Sequence, residues 1–280
     1  MLSCILFISC ILFLQSCNSE INTKPPQIVE NDSLEEKVID TSKIEIADAA
    51  TILSRKEVPV LCYHRIRNFK GNESPSMINY IVPADVFKEQ IKSLADSGYQ
   101  TISADQYYNY LTVNEKLPAK PVMITFDDTS EEQFTIGAAE MDRYGFKGVY
   151  FIMTISIDRP GYMTKQQLKE LADNGHTIAA HTWDHHRVTQ YSEEDWNKQL
   201  TESKQTLESI TGKTVRHFAY PFGLWNKASI PELKKREIKT AYQLAAKRDT
   251  LEPLYTIRRM LVPGTWDRDK MHKWMDINFK

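Results

Sequence analysis

The chain has 280 residues, of which 35 are Lys or Arg and 37 are Asp or Glu, so its formal net charge is −2. This balance offers no electrostatic case for binding to nucleic acid or to an anionic membrane surface. The chain is long enough for one large domain with its own core, and we expect a monomer.

The chain begins with an apolar run from Met1 to Phe13 that ends in the sequence LQSC at residues 14–17. The run is too short to span a bilayer comfortably, and it indicates an export signal. Its ending resembles the bacterial lipobox. We therefore predict a lipoprotein signal peptide over residues 1–16 and a lipid on Cys17 that anchors an exported protein to the cell envelope, at the outer membrane or cell surface. The alternative is a buried N-terminal helix, although the run is apolar on all sides.

Residues 17–55 are polar and acidic, and they lack a sustained apolar face. This composition favours a flexible tether, with a short helix near Ile44 to Ile52 as the alternative for its last part. Cys62 is the only cysteine beyond residue 17, so no intrachain disulfide is possible in the body of the protein.

From Val58 onward, short apolar runs alternate with amphipathic stretches, a pattern typical of strands and crossover helices in a parallel sheet or barrel. The predicted strands extend over residues 58–64, 99–102, 121–127, 148–153, 176–181, 217–220, 240–244 and 257–262. Helix starts and ends between them are marked by Pro83 and Gly98, by Thr164 and Gly175, and by Ser192 and Gly212. We predict a distorted (β/α) barrel of about seven strands, forming a single catalytic domain over residues 56–280. Chemistry in such barrels lies at the carboxyl ends of the strands.

Two adjacent carboxylates, Asp127 and Asp128, follow the apolar run at residues 122–126. Adjacent carboxylates repel, and either a nearby cation or a raised pKa relieves the repulsion. The pair therefore indicates a metal site with a general base, and the alternative is a solvated acidic turn or a helix N-cap.

A second apolar run, at residues 178–180, is followed by His181 and His185. Their four-residue spacing predicts two imidazoles on one face of a helical turn, where both bind one ion. His186 could replace His185 as the second ligand. Together with Asp128, two histidines form a triad that suits one divalent ion, Zn²⁺ first, with Co²⁺ or Ni²⁺ as other candidates.

The segments TFDD at residues 125–128 and HTWDH at residues 181–185 resemble the first two motifs of the polysaccharide deacetylases of carbohydrate esterase family 4, the NodB homology domain. The segment YPFG at residues 220–223 is similar to the third motif. The resemblance extends over roughly residues 58–262. It implies a metal-dependent hydrolase that removes N-acetyl groups from a cell-surface or extracellular polysaccharide of the N-acetylglucosamine type.

Carried over position by position, the resemblance makes Asp127 the general base that takes a proton from the attacking water. It makes Asp128, His181 and His185 the metal ligands. The peptide N–H of Phe222 becomes a hydrogen-bond donor to the oxyanion.

Two positions depart from the family pattern. Ala219 replaces the Arg that orients the base, so another group must orient Asp127, and Arg216, Arg258 and Arg259 are the candidates. No Leu-x-His segment near the C-terminus supplies the acid. However, the segment LCYH at residues 61–64 resembles a strand of the poly-β-1,6-N-acetylglucosamine deacetylase subgroup, which makes His64 the acid. The alternative for His64 is a structural strand-end histidine.

Side chains near the predicted mouth of the barrel suit a groove for sugar rings, although aromatic residues at strand ends are often core residues. The predicted groove residues are Tyr63, Tyr220, Pro221, Trp183, Trp225 and Arg259, together with Phe222. The predicted partner is an acetylated polysaccharide. Two other functions stay open: an O-acetyl esterase acting on xylan or an exopolysaccharide, and a glycan-binding pseudoenzyme.

Overall fold

The computed structural model of the chain describes residues 46–279. The predicted signal peptide, Cys17 and most of the predicted tether lie outside the described residues. Helix α1 (Ala49–Ser54) occupies the last part of the stretch interpreted as a tether, as the short-helix alternative expects. Its side chain Ile52 is buried in the core, so packed structure begins ahead of the boundary predicted at residue 56.

The centre of the fold is a curled sheet of parallel strands, and the predicted distorted barrel is confirmed. The strands are β1 (Val60–Tyr63), β2 (Arg65–Ile66), β3 (Ile81–Val82), β4 (Gln100–Thr101), β5 (Pro121–Asp127), β6 (Gly148–Ile152), β7 (Thr177–Ala180), β8 (His217–Ala219), β9 (Thr240–Tyr242) and β10 (Met260–Leu261). Seven of them follow the order β10-β1-β5-β6-β7-β8-β9, while β4 pairs with the start of β5. Strands β2 and β3 form a separate small sheet.

Residues 257–262 connect the two margins of the curled sheet. On one side, the Gln243 N–H beside β9 donates to the Ile257 carbonyl at 2.9 Å. On the other side, the Val262 N–H donates to the Cys62 carbonyl of β1 at 3.1 Å. This segment therefore brings its side chains, including Arg259, between β9 and β1.

Helices connect the strands and cover the outside of the sheet. They are α2 (Pro75–Ile78), α3 (Ala84–Asp96), α4 (Ala104–Val113), α5 (Ala139–Asp142), α6 (Lys165–Asp173), α7 (Glu193–Trp196), α8 (Ser203–Thr211), α9 (Ser229–Lys235) and α10 (Arg268–Asn278). The helix predicted from Ser192 consists of α7, a π-helical turn at Asn197–Glu202 and α8, and it ends at Gly212 as expected. None of the helices in residues 46–279 has both the length and the apolar character needed to cross a membrane.

Alternation along the strands sorts side chains between the two faces of the sheet. In β1, Val60 contributes to the cluster on the inner face, whereas Leu61 and Tyr63 contribute to the cluster beneath the outer helices. In β5, Met123 is an inner residue and Phe126 is an outer residue. By the same parity, the side chains at positions 64 and 127 belong to the inner face, at the carboxyl end of the barrel.

Candidate active site

The candidate site is built from loops that follow the carboxyl ends of β5, β7 and β8. Eight non-glycine residues of the described chain have positive φ, and five of them lie in these loops: Asp128, Thr129, Thr182, His185 and Phe222. Left-handed backbone costs free energy for residues with a Cβ, and it concentrates at functional sites because surrounding contacts hold it in place. The glycine of the third motif is also required, since a Cβ on Gly223 would lie 2.8 Å from Leu244 Cγ.

Asp128, His181 and His185 form a convergent set of ligand-type atoms. Asp128 Oδ1 lies 3.5 Å from His181 Nε2 and 3.5 Å from His185 Nε2. The Asp128 and His181 atoms are buried without a hydrogen-bond partner. Such atoms need a partner of another kind, and a carboxylate with two imidazoles is a ligand set that suits a first-row divalent ion. The residues therefore fit the predicted metal.

The imidazole of His181 is oriented by the neighbouring strand. Its Nδ1–H donates to the Ala219 carbonyl at 2.8 Å, which leaves the Nε2 lone pair directed at the site. Burial and then the nearby His181 lower the pKa of His185 to about 4, so this imidazole is neutral and available as a ligand near neutral pH. His186 is exposed and its Nδ1 lies 2.8 Å from Asp184 Oδ1, so the geometry favours His185 over His186.

The prediction of a helical turn between His181 and His185 is wrong. Residues 181–187 form a loop rather than a helix, with Thr182 and His185 both in the left-handed region at φ 69°. The loop reverses direction, and the His185 N–H donates to Thr182 Oγ1 at 2.9 Å. The two imidazoles therefore meet through a strained loop, with ring centroids 4.9 Å apart.

Asp127 is held by Arg259, one of the three candidates for this role. The guanidinium donates two hydrogen bonds to the carboxylate, at 2.6 Å and 2.7 Å, and both side chains are buried. Burial raises the pKa of Asp127, but the Arg259 and His181 charges outweigh this effect and hold the pKa below its ordinary value. Asp127 is therefore an ionised carboxylate next to the candidate metal ligands. The preceding residue, Arg258, pairs with Glu57 instead.

His64 lies on the other side of Asp127, with its Nε2 3.8 Å from Asp127 Oδ2. The nearby Cys62 Sγ is 3.8 Å from the same carboxylate oxygen, so Cys62, His64 and Asp127 form a second cluster of ligand-type atoms. Burial raises the pKa of the Cys62 thiol, and the Arg259 guanidinium already pairs with the carboxylate. This second cluster is thus a poorer cation site than the triad of Asp128 and the two histidines.

The candidate metal ligands, together with the side chains around Asp127 other than Cys62, line one cavity of about 420 Å³ at the carboxyl end of the barrel. Its wall includes His64, Asp127, Asp128, Phe222 and Arg259. The Phe222 ring is about half exposed and packs edge to face on His185, with centroids 4.4 Å apart. Other wall residues were not identified from the sequence: Arg65, Met77, Tyr80, Ser130, Met153, Tyr162 and Leu244. Most of them follow predicted strands or lie in the loop after β2. Their position next to strand ends could therefore have identified them from the sequence.

The prediction that Tyr63 and Tyr220 lie in a sugar-binding groove is wrong. Tyr63 is fully buried on the outer face of β1, where its hydroxyl donates to Gln90 Oε1 at 3.1 Å. Tyr220 is equally buried, and its hydroxyl donates to the Tyr255 carbonyl at 3.1 Å. Both side chains have outer-face parity, so both belong to the core beneath the helices.

Three more predicted groove residues, Pro221, Trp225 and Trp183, also lie away from the cavity wall. Pro221 is buried at the start of the turn after β8. The Trp225 Nε1–H donates to Gln243 Oε1 at 2.9 Å, which fixes this indole against the barrel. Trp183 is covered by the ammonium of Lys198, 3.7 Å from its ring centroid. Arg259 does line the cavity, but its guanidinium is occupied by Asp127.

Comparisons with known proteins find similarity to polysaccharide deacetylases. Residues 114–241 match the family profile described as polysaccharide deacetylase. YxkH of Bacillus subtilis, which carries the same family name, is 29% identical over 274 residues, covering 94% of this chain and 93% of that protein. The poly-beta-1,6-N-acetyl-D-glucosamine N-deacetylase of Staphylococcus aureus strain MRSA252 is 28% identical over 239 residues, covering 76% of this chain and 81% of that protein.

A solved structure shows the same fold. The Streptococcus pyogenes deacetylase PplD, solved in complex with acetate, superposes with a TM-score of 0.71 at 21% sequence identity. The match covers 81% of this chain and 100% of that chain.

Proposed function

We propose that this chain, whose residues 114–241 match the polysaccharide deacetylase profile, is a hydrolase of that kind and removes N-acetyl groups from an N-acetylglucosamine glycan in a metal-dependent reaction. The observation that carries the proposal is the buried Asp127 carboxylate, which Arg259 holds ionised beside Asp128, His181 and His185. A binding protein has no use for such a base. The S. aureus relative, whose name specifies poly-beta-1,6-N-acetyl-D-glucosamine, supports the substrate class.

Asp128, His181 and His185 would hold the divalent ion, Zn²⁺ in the first instance. When bound, the ion supplies Lewis acidity toward the acetyl carbonyl and toward water. Asp127 takes a proton from the attacking water, and the peptide N–H of Phe222 donates to the developing oxyanion. The products are acetate and a free amine on the sugar.

His64 protonates the leaving amine in this proposal. Burial lowers the pKa of His64, so its imidazole is neutral before the reaction. It must therefore gain a proton first, and Asp127, which has just taken one from water, has its Oδ2 3.8 Å from His64 Nε2. Delivery of a proton matters more for an amine leaving group than for an alcohol, which favours amide over ester substrates.

The test measures metal content and acetate release on the same purified protein. We expect one Zn²⁺, Co²⁺ or Ni²⁺ per chain, loss of activity with a chelator, and recovery when the metal is returned. We also expect acetate from a β-1,6-linked N-acetylglucosamine oligomer or a chito-oligosaccharide in preference to acetylated xylan. Preference for xylan would establish the O-acetyl esterase, and metal binding without acetate release would establish the pseudoenzyme.

We propose further that Cys17 carries a lipid, on the basis of the LQSC segment that ends the apolar leader. The wild-type protein should then fractionate with membranes, and the Cys17→Ala protein should appear uncleaved or soluble. A soluble wild-type protein that retains Met1 would contradict this proposal.

A further inference from the structure

We propose that two buried glutamines, Gln133 and Gln199, are positioning residues that hold the two halves of the active site. Gln133 fixes the distance between the acid and the base, and Gln199 fixes the loop that carries the second histidine ligand. The proposal rests on the proposed function, because it assigns roles within that site.

Both glutamines lie on π-helical turns, which are rare and occur frequently at functional sites. Within residues 46–279, the π-helical segments are Gln133–Ala138 and Asn197–Glu202. Gln133 is fully buried, and Gln199 is 3% exposed. Each turn therefore directs a long polar side chain into the protein at the back of the site.

Gln133 connects the ends of β1 and β5. Its Nε2 donates to the His64 carbonyl at 2.7 Å and also to the Asp127 carbonyl. These two residues carry the proposed acid and the proposed base. One amide group that bonds both carbonyls fixes the separation of the two side chains without contacting the reacting atoms.

Both the oxygen and the nitrogen of the Gln199 side-chain amide bond the loop at residues 181–187, which carries the histidine ligands. Its Oε1 accepts from the Trp183 N–H at 3.2 Å and the Asp184 N–H at 3.3 Å, while its Nε2 donates to Asp184 Oδ1 at 2.7 Å. Residues 183 and 184 lie between the ligands His181 and His185. Gln199 therefore stabilises the loop conformation in which His185 has a left-handed backbone.

The two roles predict separate losses. Gln199→Met should weaken Zn²⁺ binding about 10-fold to 100-fold, the usual consequence of losing an outer contact to a metal site. Gln133→Met should keep the wild-type Zn²⁺ affinity and should lower kcat for the N-acetyl substrate about 10-fold to 100-fold, since acid and base lose their alignment. Methionine preserves length and volume and removes both hydrogen-bonding atoms.

Gln90→Met is the matched control. Gln90 is also fully buried and bonds Tyr63 and the Trp266 carbonyl, away from the cavity. This variant should lose thermal stability comparably while keeping Zn²⁺ affinity and kcat. If either active-site variant unfolds, Gln133→Asn or Gln199→Asn, which keeps a neutral amide but shortens its reach, is measured in its place.

The experiment titrates Zn²⁺ against a competing chelator, and it measures kcat and KM at saturating Zn²⁺ and the melting temperature without metal. Zn²⁺ affinity of Gln199→Met equal to that of Gln90→Met would overturn the role of Gln199. Unchanged kcat in Gln133→Met would overturn the role of Gln133. Failure of the proposed function would appear separately, as a wild-type protein that binds no Zn²⁺ or releases no acetate.

Discussion

The two ends of the barrel use the same residue types in different ways. At the amino ends of the strands, His217 lies 3.3 Å from Asp105, and His176 lies 3.6 Å from Asp142. At the carboxyl ends, two histidines converge on the single carboxylate of Asp128. Composition alone does not distinguish the two ends.

The difference lies in what else each histidine contacts. His217 Nδ1 is 2.7 Å from Thr240 Oγ1, and His176 Nδ1 accepts from the Gly148 N–H at 2.9 Å. Each Nε2 atom faces one separate carboxylate that is about half exposed to water, so neither histidine shares its carboxylate with a second imidazole. At the other end, loops with left-handed residues bring one atom each of Asp128, His181 and His185 within 4.8 Å of one another, and this convergence suits a cation.

The largest expected effect separates the two ends directly. His181→Ala should weaken Zn²⁺ binding by at least about 100-fold and abolish acetate release, because it removes a ligand. His217→Ala, at the opposite end, should keep the Zn²⁺ affinity of the wild type. Metal content after dialysis and chelator competition measure both. Full metal occupancy and activity in His181→Ala would refute the site.

Asp127→Asn separates the effect of losing the general base from the effect of losing the metal. The variant should keep its metal but lose about 10²-fold to 10⁴-fold in kcat, since the general base is gone. It should also lose about 3–5 kcal/mol in free energy of unfolding, because Arg259 becomes a buried charge without a partner. Urea denaturation and acetate release measure the two effects. Asp105→Asn is the control, and near-normal amide turnover in Asp127→Asn would exclude the mechanism.

His64→Ala tests whether the site favours amide substrates. Metal should remain bound, turnover of an N-acetyl oligosaccharide should fall about 10²-fold, and hydrolysis of an aryl acetate should fall less than about 10-fold. An activated aryl alcohol leaves without a proton, whereas an amine does not. Equal losses on the two substrates would show that His64 is not the acid.

The smallest expected effect concerns the amino end. Burial, and then the Lys147 charge, lower the pKa of His176 to about 4, whereas its unfolded pKa is near 6.5. Between these values the unfolded chain binds more protons, so the free energy of unfolding should fall as pH falls from about 6.5 to about 4.

His176→Asn keeps an acceptor for the Gly148 N–H and removes this titration. The acid loss of stability should therefore shrink by about 3 kcal/mol relative to the wild type, without change in acetate release at neutral pH. Urea denaturation at several pH values measures the difference. Parallel pH profiles for the two proteins would contradict the assignment.

Local patterns in the sequence predicted eight of the ten strands in residues 46–279, missing the short β2 and β3, and they predicted the ends of three helical segments and the strand ends where the candidate site lies. The predicted strand at residues 121–127 coincides with β5, because a buried strand is a continuous apolar run and Asp127 ends it. Strand parity could also have placed Tyr63 and Tyr220 in the core. It could have separated Arg259 from Arg258 on the two faces of the predicted strand at residues 257–262.

Tertiary structure decided the remaining features, because they depend on contacts between distant residues. Arg259 contacts Asp127, 132 residues away in the chain, because residues 257–262 lie between β9 and β1. The loop that joins His181 to His185 contains two left-handed residues instead of a helical turn, and the distant Gln199 bonds its backbone. Residue spacing specifies which ligands are available, but only the packed barrel determines where their atoms meet.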